Sequence, residues 1–258
     1  VGPLQLIGAE EAAQPMKIEM LNLGWMTAPA GLWRQGDEEP ERPLRLPVPA
    51  YLIETESERI LVDTGLHPDA AADPDARYGE GTALGHFGLE QEKGLAEQVD
   101  LGTVTRLVLT HLHFDHAGGL ALIPESVPVI LQRAEWEAAH DRTGVERNFF
   151  QPPDYADAPP NLTLLDGDHD LLGDGSIELL STPGHTAGHQ SVQVGNLVLG
   201  ADVALFAGGL DDLRFPAFGY SKEGQSRSAE RLRGLRDAGL TIQPGHDPDV
   251  LVPGPVTA

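Results

Sequence analysis

Between Thr110 and Gly119 the chain reads Thr-His-Leu-His-Phe-Asp-His-Ala-Gly-Gly, so His111, His113, Asp115 and His116 put three imidazoles and one carboxylate within six residues. Imidazole and carboxylate suit zinc and, to a lesser degree, iron, manganese or cobalt. Alternate positions of an extended segment share a face, so His111 and His113 can point one way while Asp115 and His116 address a neighbouring point. One short segment could thus supply ligands to two ions a few ångströms apart. The competing reading is a solvated polar loop with incidental histidines. The flanking glycines, which let backbone approach closely, argue against it.

Three further segments carry the same chemistry. Pro183-Gly184-His185-Thr186, Gly200-Ala201-Asp202 and Pro244-Gly245-His246-Asp247 each put a lone His or Asp directly after an apolar, strand-like run. Singly each reads as a turn residue. Jointly they complete two coordination shells where loops at the end of a sheet gather functional side chains. The chain contains no cysteine, which removes thiolate sites, disulfides and cysteine nucleophiles and leaves a metal to nitrogen and oxygen ligands.

These segments need a scaffold, and the apolar pattern supplies one. Residues 48–54 and 59–63 read as a β-hairpin, and 106–110, 127–131, 162–165, 171–172, 177–181, 191–194, 197–200 and 240–243 as further short strands. A first strand runs on from Met16. Helical spacing marks 89–99, 133–141 and 223–238, the last with Leu232, Leu235 and Ala238 on one face. Residues 25–49, rich in Gly, Pro and charge, suit a long loop, and the proline-dense stretch 144–161 a surface insertion. Strand pairs with intervening helices fit one layered α/β domain.

With 258 residues, 40% hydrophobic and 22% charged, the chain can build a sizeable core. No apolar run approaches the ~18–20 residues of a membrane-spanning helix, so no membrane partner is expected. Forty acidic against 17 basic residues, a net charge of −23, repel a polyanion, and no nucleic-acid partner is expected either. Residues 1–15 lack the positive and apolar regions of a secretory signal. They read as a tag remnant or a disordered arm, and the expected compartment is the cytoplasm.

The order His-x-His-x-Asp-His, then a distant His, Asp and His, resembles the signature of the metallo-β-lactamase fold superfamily. Within it, the 110–119 segment, Leu46-Pro-Val-Pro-Ala-Tyr-Leu-Ile-Glu-Thr55 before Ile60-Leu-Val-Asp-Thr-Gly65, and Thr182-Pro-Gly-His-Thr-Ala-Gly-His-Gln-Ser191 are similar to the N-acyl-homoserine lactonases. The similarity runs over about residues 46–247.

The resemblance implies an α/β fold, the αββα sandwich, as a single domain over residues 16–258 with a dinuclear metal site at one edge. His111, His113 and His185 would hold the first ion, Asp115, His116 and His246 the second, and Asp202 would bridge them. The implied cofactors are two divalent ions, zinc foremost. The implied function is opening of a lactone ring, that of N-acyl-homoserine lactones (quorum quenching), by attack of a metal-bridging hydroxide. Asp115 would be catalytic, taking the proton of the attacking water and returning it to the leaving alkoxide. The alternative is the same site acting on another lactone, a thioester or an organophosphate ester. A third reading is a non-catalytic metal-binding protein, against which the presence of all seven ligands speaks. The implied partner is a small-molecule lactone, and family members often form homodimers.

One position departs from the pattern. The lactonases usually carry a tyrosine three residues after the bridging aspartate, where this chain has Leu205. Losing such a hydroxyl donor typically costs about 3–4 kcal/mol of transition-state stabilisation, so Tyr220 on a later loop is a candidate replacement. Residues 25–33, 78–87, 148–155 and 205–220 would line the substrate pocket. Their candidates are Trp25, Met26, Trp33, Phe87, Phe149, Phe150, Phe206, Phe215 and Phe218, each weighed against simple packing under a loop. His189 reads as a supporting or core residue and His67 as near the site. Asp63 could fix the tautomer of a ligand imidazole, while His86, His140 and His169 read as surface.

Overall fold

Strict alternation along the strands decides the layers. In the computed structural model, which describes residues 16–80, 84, 87–157 and 160–257, the strands are β1 (Lys17–Pro29), β2 (Pro43–Glu54), β3 (Arg59–Val62), β4 (Gly88–Glu90), β5 (Arg106–Val108), β6 (Val129–Gln132), β7 (Leu162–Leu165), β8 (His169–Asp170), β9 (Ile177–Ser181), β10 (Gln190–Val194), β11 (Leu197–Leu199), β12 (Thr241–Gln243) and β13 (Gly254–Val256). The arm at 1–15 and His86 lie outside the described residues. One sheet runs β13-β1-β2-β3-β5-β6-β7 with β4 beside β1, and the other β12-β11-β10-β9-β8.

Ile60, Val62, Val108 and Ile130 of the first sheet meet Ile177, Leu179, Val192 and Val194 of the second in one buried layer. Their sequence neighbours Leu61, Leu107, Val129 and Leu131 face outward into a layer with Leu95, Leu112, Phe114 and Leu120. Leu180 and Val198 pack against Ala229 and Leu232 of the helix Lys222–Asp237 on the other side. Each fully buried Leu, Ile or Val contributes roughly 1.5–3 kcal/mol. Period-2 alternation sends successive residues to opposite faces, which makes both faces of both sheets apolar and requires helices outside them. The result is the expected four-layer αββα sandwich in one domain.

Strand direction sets where function sits. β3, β5, β6 and β7 run parallel, and β9, β11 and β12 share one direction through β10. The carboxyl ends of β3, β5, β9, β11 and β12 therefore open onto one edge, the usual place for ligands in sheets of this kind.

Several boundaries differ from the sequence expectation. Residues 25–49 are no long loop: β1 and β2 pair from Lys17↔Glu54 out to Pro29↔Pro43, with a bulge between Asn22 and Trp25. The bulge lies opposite the Pro47 to Pro49 stretch, where missing N–H donors would otherwise break a ladder. Within 89–99 only Leu95–Gln98 is helical, and Gly88–Glu90 instead pairs with β1. The stretch 144–161 is no mere surface insertion. It includes the end of the helix Arg142–Asn148, and Asn148 and Asp154 are buried within it. The strand expected at 171–172 falls at His169–Asp170, and β13 carries no apolar signal of its own.

Candidate metal centre

Seven side chains converge at the shared edge as two adjacent groups: His111, His113, His185 and Asp202, and Asp115, His116 and His246. All seven are at most 5% exposed. β5 ends at Val108 and leads straight into His111. The helical turn Phe114–Ala117 that follows has His113 at its N-cap, and this turn swings Asp115 and His116 away from the direction of the first two histidines. Thr64 holds the turn, its N–H and hydroxyl donating to the His116 carbonyl at 2.7 and 2.8 Å.

The ring orientations show which atoms are left free. His113 Nε2 donates to the Asn148 carbonyl at 2.6 Å, and His246 Nδ1 to the Pro47 carbonyl at 2.8 Å. His116 Nδ1 donates to Asp63 Oδ2 at 2.8 Å. The Thr110 hydroxyl donates to that same Asp63 oxygen at 2.8 Å and so can accept from His111 Nδ1 at 3.0 Å. A carbonyl or carboxylate can only accept, so when these rings are neutral, as a metal ligand must be, their inward nitrogens carry the lone pairs.

The inward nitrogens face each other. His113 Nδ1 lies 3.0 Å from His111 Nε2 and 2.9 Å from His185 Nε2, and His116 Nε2 lies 3.3 Å from His246 Nε2. Asp202 sits between the groups, with Oδ2 3.1 Å from His185 Nε2 and Oδ1 3.1 Å from His246 Nε2 and 3.4 Å from His116 Nε2. Asp115 Oδ2 is 3.4 Å from both His116 and His246. Acceptors packed against acceptors need cations between them, and the buried Asp202 Oδ1 has no hydrogen-bond donor. The donor set therefore fits two divalent ions.

Electrostatics separates the two groups. Burial, reinforced by neighbouring histidines, holds His111 well below the usual imidazole range and His113 at about 3, so both stay neutral. Burial also opposes charge on His116 and His246. There it is outweighed by Asp115 and Asp202, with Asp63 adding at His116, and both are raised. Burial disfavours the Asp202 carboxylate, yet His246, His116 and His185 together hold it well below its ordinary value.

Supporting residues complete the floor. Asp63, in a left-handed conformation at φ 63 that Asp tolerates better than most residues, turns back to bind Thr110 and His116. His189 accepts the Asp202 N–H at 3.0 Å through Nε2, with its other nitrogen on the Thr182 hydroxyl. Gly245 packs against the bridging carboxylate, where a Cβ would come within 2.6 Å of Asp202 Oδ1. His67 instead caps the helix Pro68–Ala72, and His140 and His169 are exposed.

The expected pocket residues divide. Phe150 lies 6.0 Å from His113 between ring centroids, and Phe218 lies 6.2 Å from His113 and 5.9 Å from His185. Edge contacts extend this wall through Phe149, Trp33 and Phe87 to Phe114. Met26 is 1% exposed and belongs to the core, because its position on β1 points into the outer apolar layer. Trp25 instead stacks under the Arg45 guanidinium at 3.8 Å. Phe215 is buried beneath the second sheet. Leu205 is buried, and its carbonyl accepts the His246 N–H at 2.9 Å. The Tyr220 ring packs 4.2 Å from the Arg147 guanidinium while its N–H holds the His185 carbonyl. Both residues thus support ligands through backbone. Asn148 and the buried Glu135 went unread in the sequence. A lone polar residue on a helix carries no pattern that marks it as functional.

With this geometry in view, the comparisons with known proteins are specific. Residues 44–246 match the family model described as the metallo-beta-lactamase superfamily, and the chain belongs to that superfamily. Among its relatives, the N-acyl homoserine lactonase AiiA of Bacillus thuringiensis subsp. kurstaki is 32% identical over 75% of this chain and 78% of its own. The N-acyl homoserine lactonase AttM of Rhizobium johnstonii is 29% identical over 79% and 82%. A solved N-acyl homoserine lactone hydrolase, with the product N-hexanoyl-L-homoserine bound at its catalytic metal center, superposes with a TM-score of 0.79. It is 26% identical, covering 92% of this chain and 95% of that one.

Proposed function

We propose that the protein is a dinuclear metal-dependent hydrolase that opens the lactone ring of N-acyl-homoserine lactones. The observation that carries this reading is the pair of buried, lone-pair-facing ligand groups joined through the two oxygens of Asp202. His111, His113 and His185 would hold one ion, Asp115, His116 and His246 the other, and Asp202 both. Zinc suits this nitrogen and oxygen donor set. Bound divalent ions supply a water activated at neutral pH and a Lewis acid for the carbonyl.

The chain's own residues do the rest. Asp115, with one oxygen 3.4 Å from two ligand imidazoles, borders the reacting centre and is assigned the transfer of a proton from water to the departing alkoxide. Phe150 and Phe218 exclude water on the His113 side and offer apolar surface to an acyl chain. Leu205 is apolar at the position of the usual tyrosine and supplies no hydroxyl to the substrate carbonyl. That gap favours tolerance of other esters as the second reading.

The test is pH-indicator hydrolysis of short- and long-chain acyl-homoserine lactones, γ-butyrolactone, a thioester and paraoxon by metal-loaded and chelator-stripped protein. Turnover of the acyl lactones that vanishes with the metal and returns on adding zinc is expected. Lactone turnover that survives complete metal removal would overturn the mechanism. Turnover confined to the phosphotriester would transfer the site to the second reading.

A further inference from the structure

Glu135 is a carboxylate with 0% exposure, three residues into the helix Arg133–Ala139, and it is absent from the ligand groups. Its Oε1 accepts the Leu112 N–H at 2.9 Å and its Oε2 the Gly188 N–H at 2.7 Å. Leu112 lies between the ligands His111 and His113. Gly188 lies three residues beyond the ligand His185 and directly before His189, which holds the Asp202 N–H.

These two loops leave different sheets. The first follows β5 and the second follows β9, so no ladder fixes their separation. Gly188 approaches so closely that a Cβ there would overlap the Glu135 backbone. Nearby, Gln190 also crosses between the sheets, with its N–H on the Thr110 carbonyl at 2.9 Å and its Nε2 on the Leu109 carbonyl at 2.8 Å. Two residues reach past the strand ends into the ligand loops themselves: Asn148, with its carbonyl on His113 Nε2 at 2.6 Å and its Oδ1 on the Ala187 N–H at 2.9 Å, and Glu135, which alone of the two binds both loops through one side chain.

The chemistry of the residue matters. Two N–H donors aimed at one side chain call for acceptors at both ends, which a carboxyl group offers and an amide does not. A glutamine of the same shape would satisfy one N–H and turn its own NH₂ against the other, leaving a buried donor unpaired. We propose that Glu135 is a positioning residue for the first metal subsite, setting the distance between the His111/His113 loop and the His185 loop. The second subsite has a tether of its own in the Pro47 carbonyl on His246, while Asp63 serves both, holding His116 directly and His111 through the Thr110 hydroxyl. Glu135 therefore acts chiefly on the first subsite. This inference rests on the dinuclear reading above.

The test titrates Co²⁺ into chelator-stripped wild type, Glu135→Gln and Asp63→Asn, following the visible absorption bands, with His185→Ala and His246→Ala as references for loss of each subsite. Removing a group that orients a ligand typically costs 10–100-fold in metal affinity. Glu135→Gln is expected to weaken one of two equivalents by about that factor, its tight equivalent giving the spectrum of His185→Ala. Asp63→Asn, whose carboxylate reaches His116 directly and His111 through Thr110, is expected to weaken both equivalents. Two equivalents bound by Glu135→Gln with wild-type affinity, or both weakened equally, would overturn the proposal. Amide hydrogen exchange on stripped wild type is independent of any variant's folding: Leu112 and Gly188 should be protected together. Either one exchanging like an exposed loop amide sinks the clamp. Wild type binding fewer than two equivalents would overturn the dinuclear reading itself, and the exchange result would still decide the clamp.

Discussion

The metal floor and the aromatic wall above it are built by opposite means. Every floor ligand follows a strand end closely or sits on the turn Phe114–Ala117, is buried, and in most cases has its ring fixed by a carbonyl, carboxylate or hydroxyl partner. The wall is assembled from separate connections and the short helix Ala30–Trp33: Trp33, Phe87, Phe149 and Phe218 are held by edge contacts between rings 5.2–6.3 Å apart, and Phe150 stands against His113 and Tyr155. One buried ion pair braces part of it: Arg77 donates to Asp154 at 2.7 Å, and the Tyr78 hydroxyl donates to the same carboxylate at 2.9 Å. The difference teaches a division of labour. Ion binding tolerates little displacement and is delegated to rigid strand ends, whereas apolar substrate surface can be made from adaptable loops.

The sharpest way to break this division is Asp202→Ala, which removes the one group shared by both halves of the floor. Loss of kcat/KM by at least about 10³-fold is expected, since a cation's charge stabilisation is worth several kcal/mol. Metal analysis should show fewer than two ions per chain. A fall of less than tenfold would mean the floor does not work as a unit.

Arg77→Met probes the brace. It leaves the Asp154 carboxylate buried without its cation, which typically costs 3–5 kcal/mol. Urea denaturation should show that loss, while the metal content of the folded protein stays at the wild-type value. Loss of metal without loss of stability would show that wall and floor are one structure.

Phe218→Ala tests the wall alone. Removing a ring that contacts both His113 and His185 should raise KM for long-chain acyl lactones about tenfold, from roughly 1–2 kcal/mol of lost apolar contact, with metal stoichiometry unchanged. An equal rise for γ-butyrolactone, which has no acyl chain, would move Phe218 from the acyl wall to the reacting centre.

A pH dependence probes the same brace. Burial outweighs the Arg77 and Tyr78 contacts and pushes Asp154 up to about 6 from an ordinary 3.8. The folded chain therefore holds a proton that the unfolded chain has released between those values, and stability from this group falls as pH rises through that window. In chelator-stripped protein, the stability of wild type minus that of Asp154→Asn should decline from about pH 4 to pH 6 and level off above. A difference that rises with pH would reverse the assignment.

The convergence of the seven floor side chains was legible in the sequence, because imidazole and carboxylate groups at strand ends fall in short motifs. His189 and Asp63 were legible as supports for the same reason, since both stand inside or beside those motifs. The wall was only half legible. Phe87 and Phe150 join it, but Met26 belongs to the core and Trp25 stacks on Arg45. Aromatic side chains fill cores and pockets with equal ease, so residue type does not say which.

The sequence by itself determined the layered fold through period-2 alternation, and the superfamily and the seven converging side chains through the resemblance of its short motifs. Tertiary structure alone decided the partnerships between distant segments: Glu135 across two loops, Asn148 on His113, Pro47 on His246 and Asp154 beneath Arg77. The first three of these join distant residues through backbone carbonyls and N–H groups. Every residue type offers those groups, so no pattern in the chain distinguishes the ones that are used.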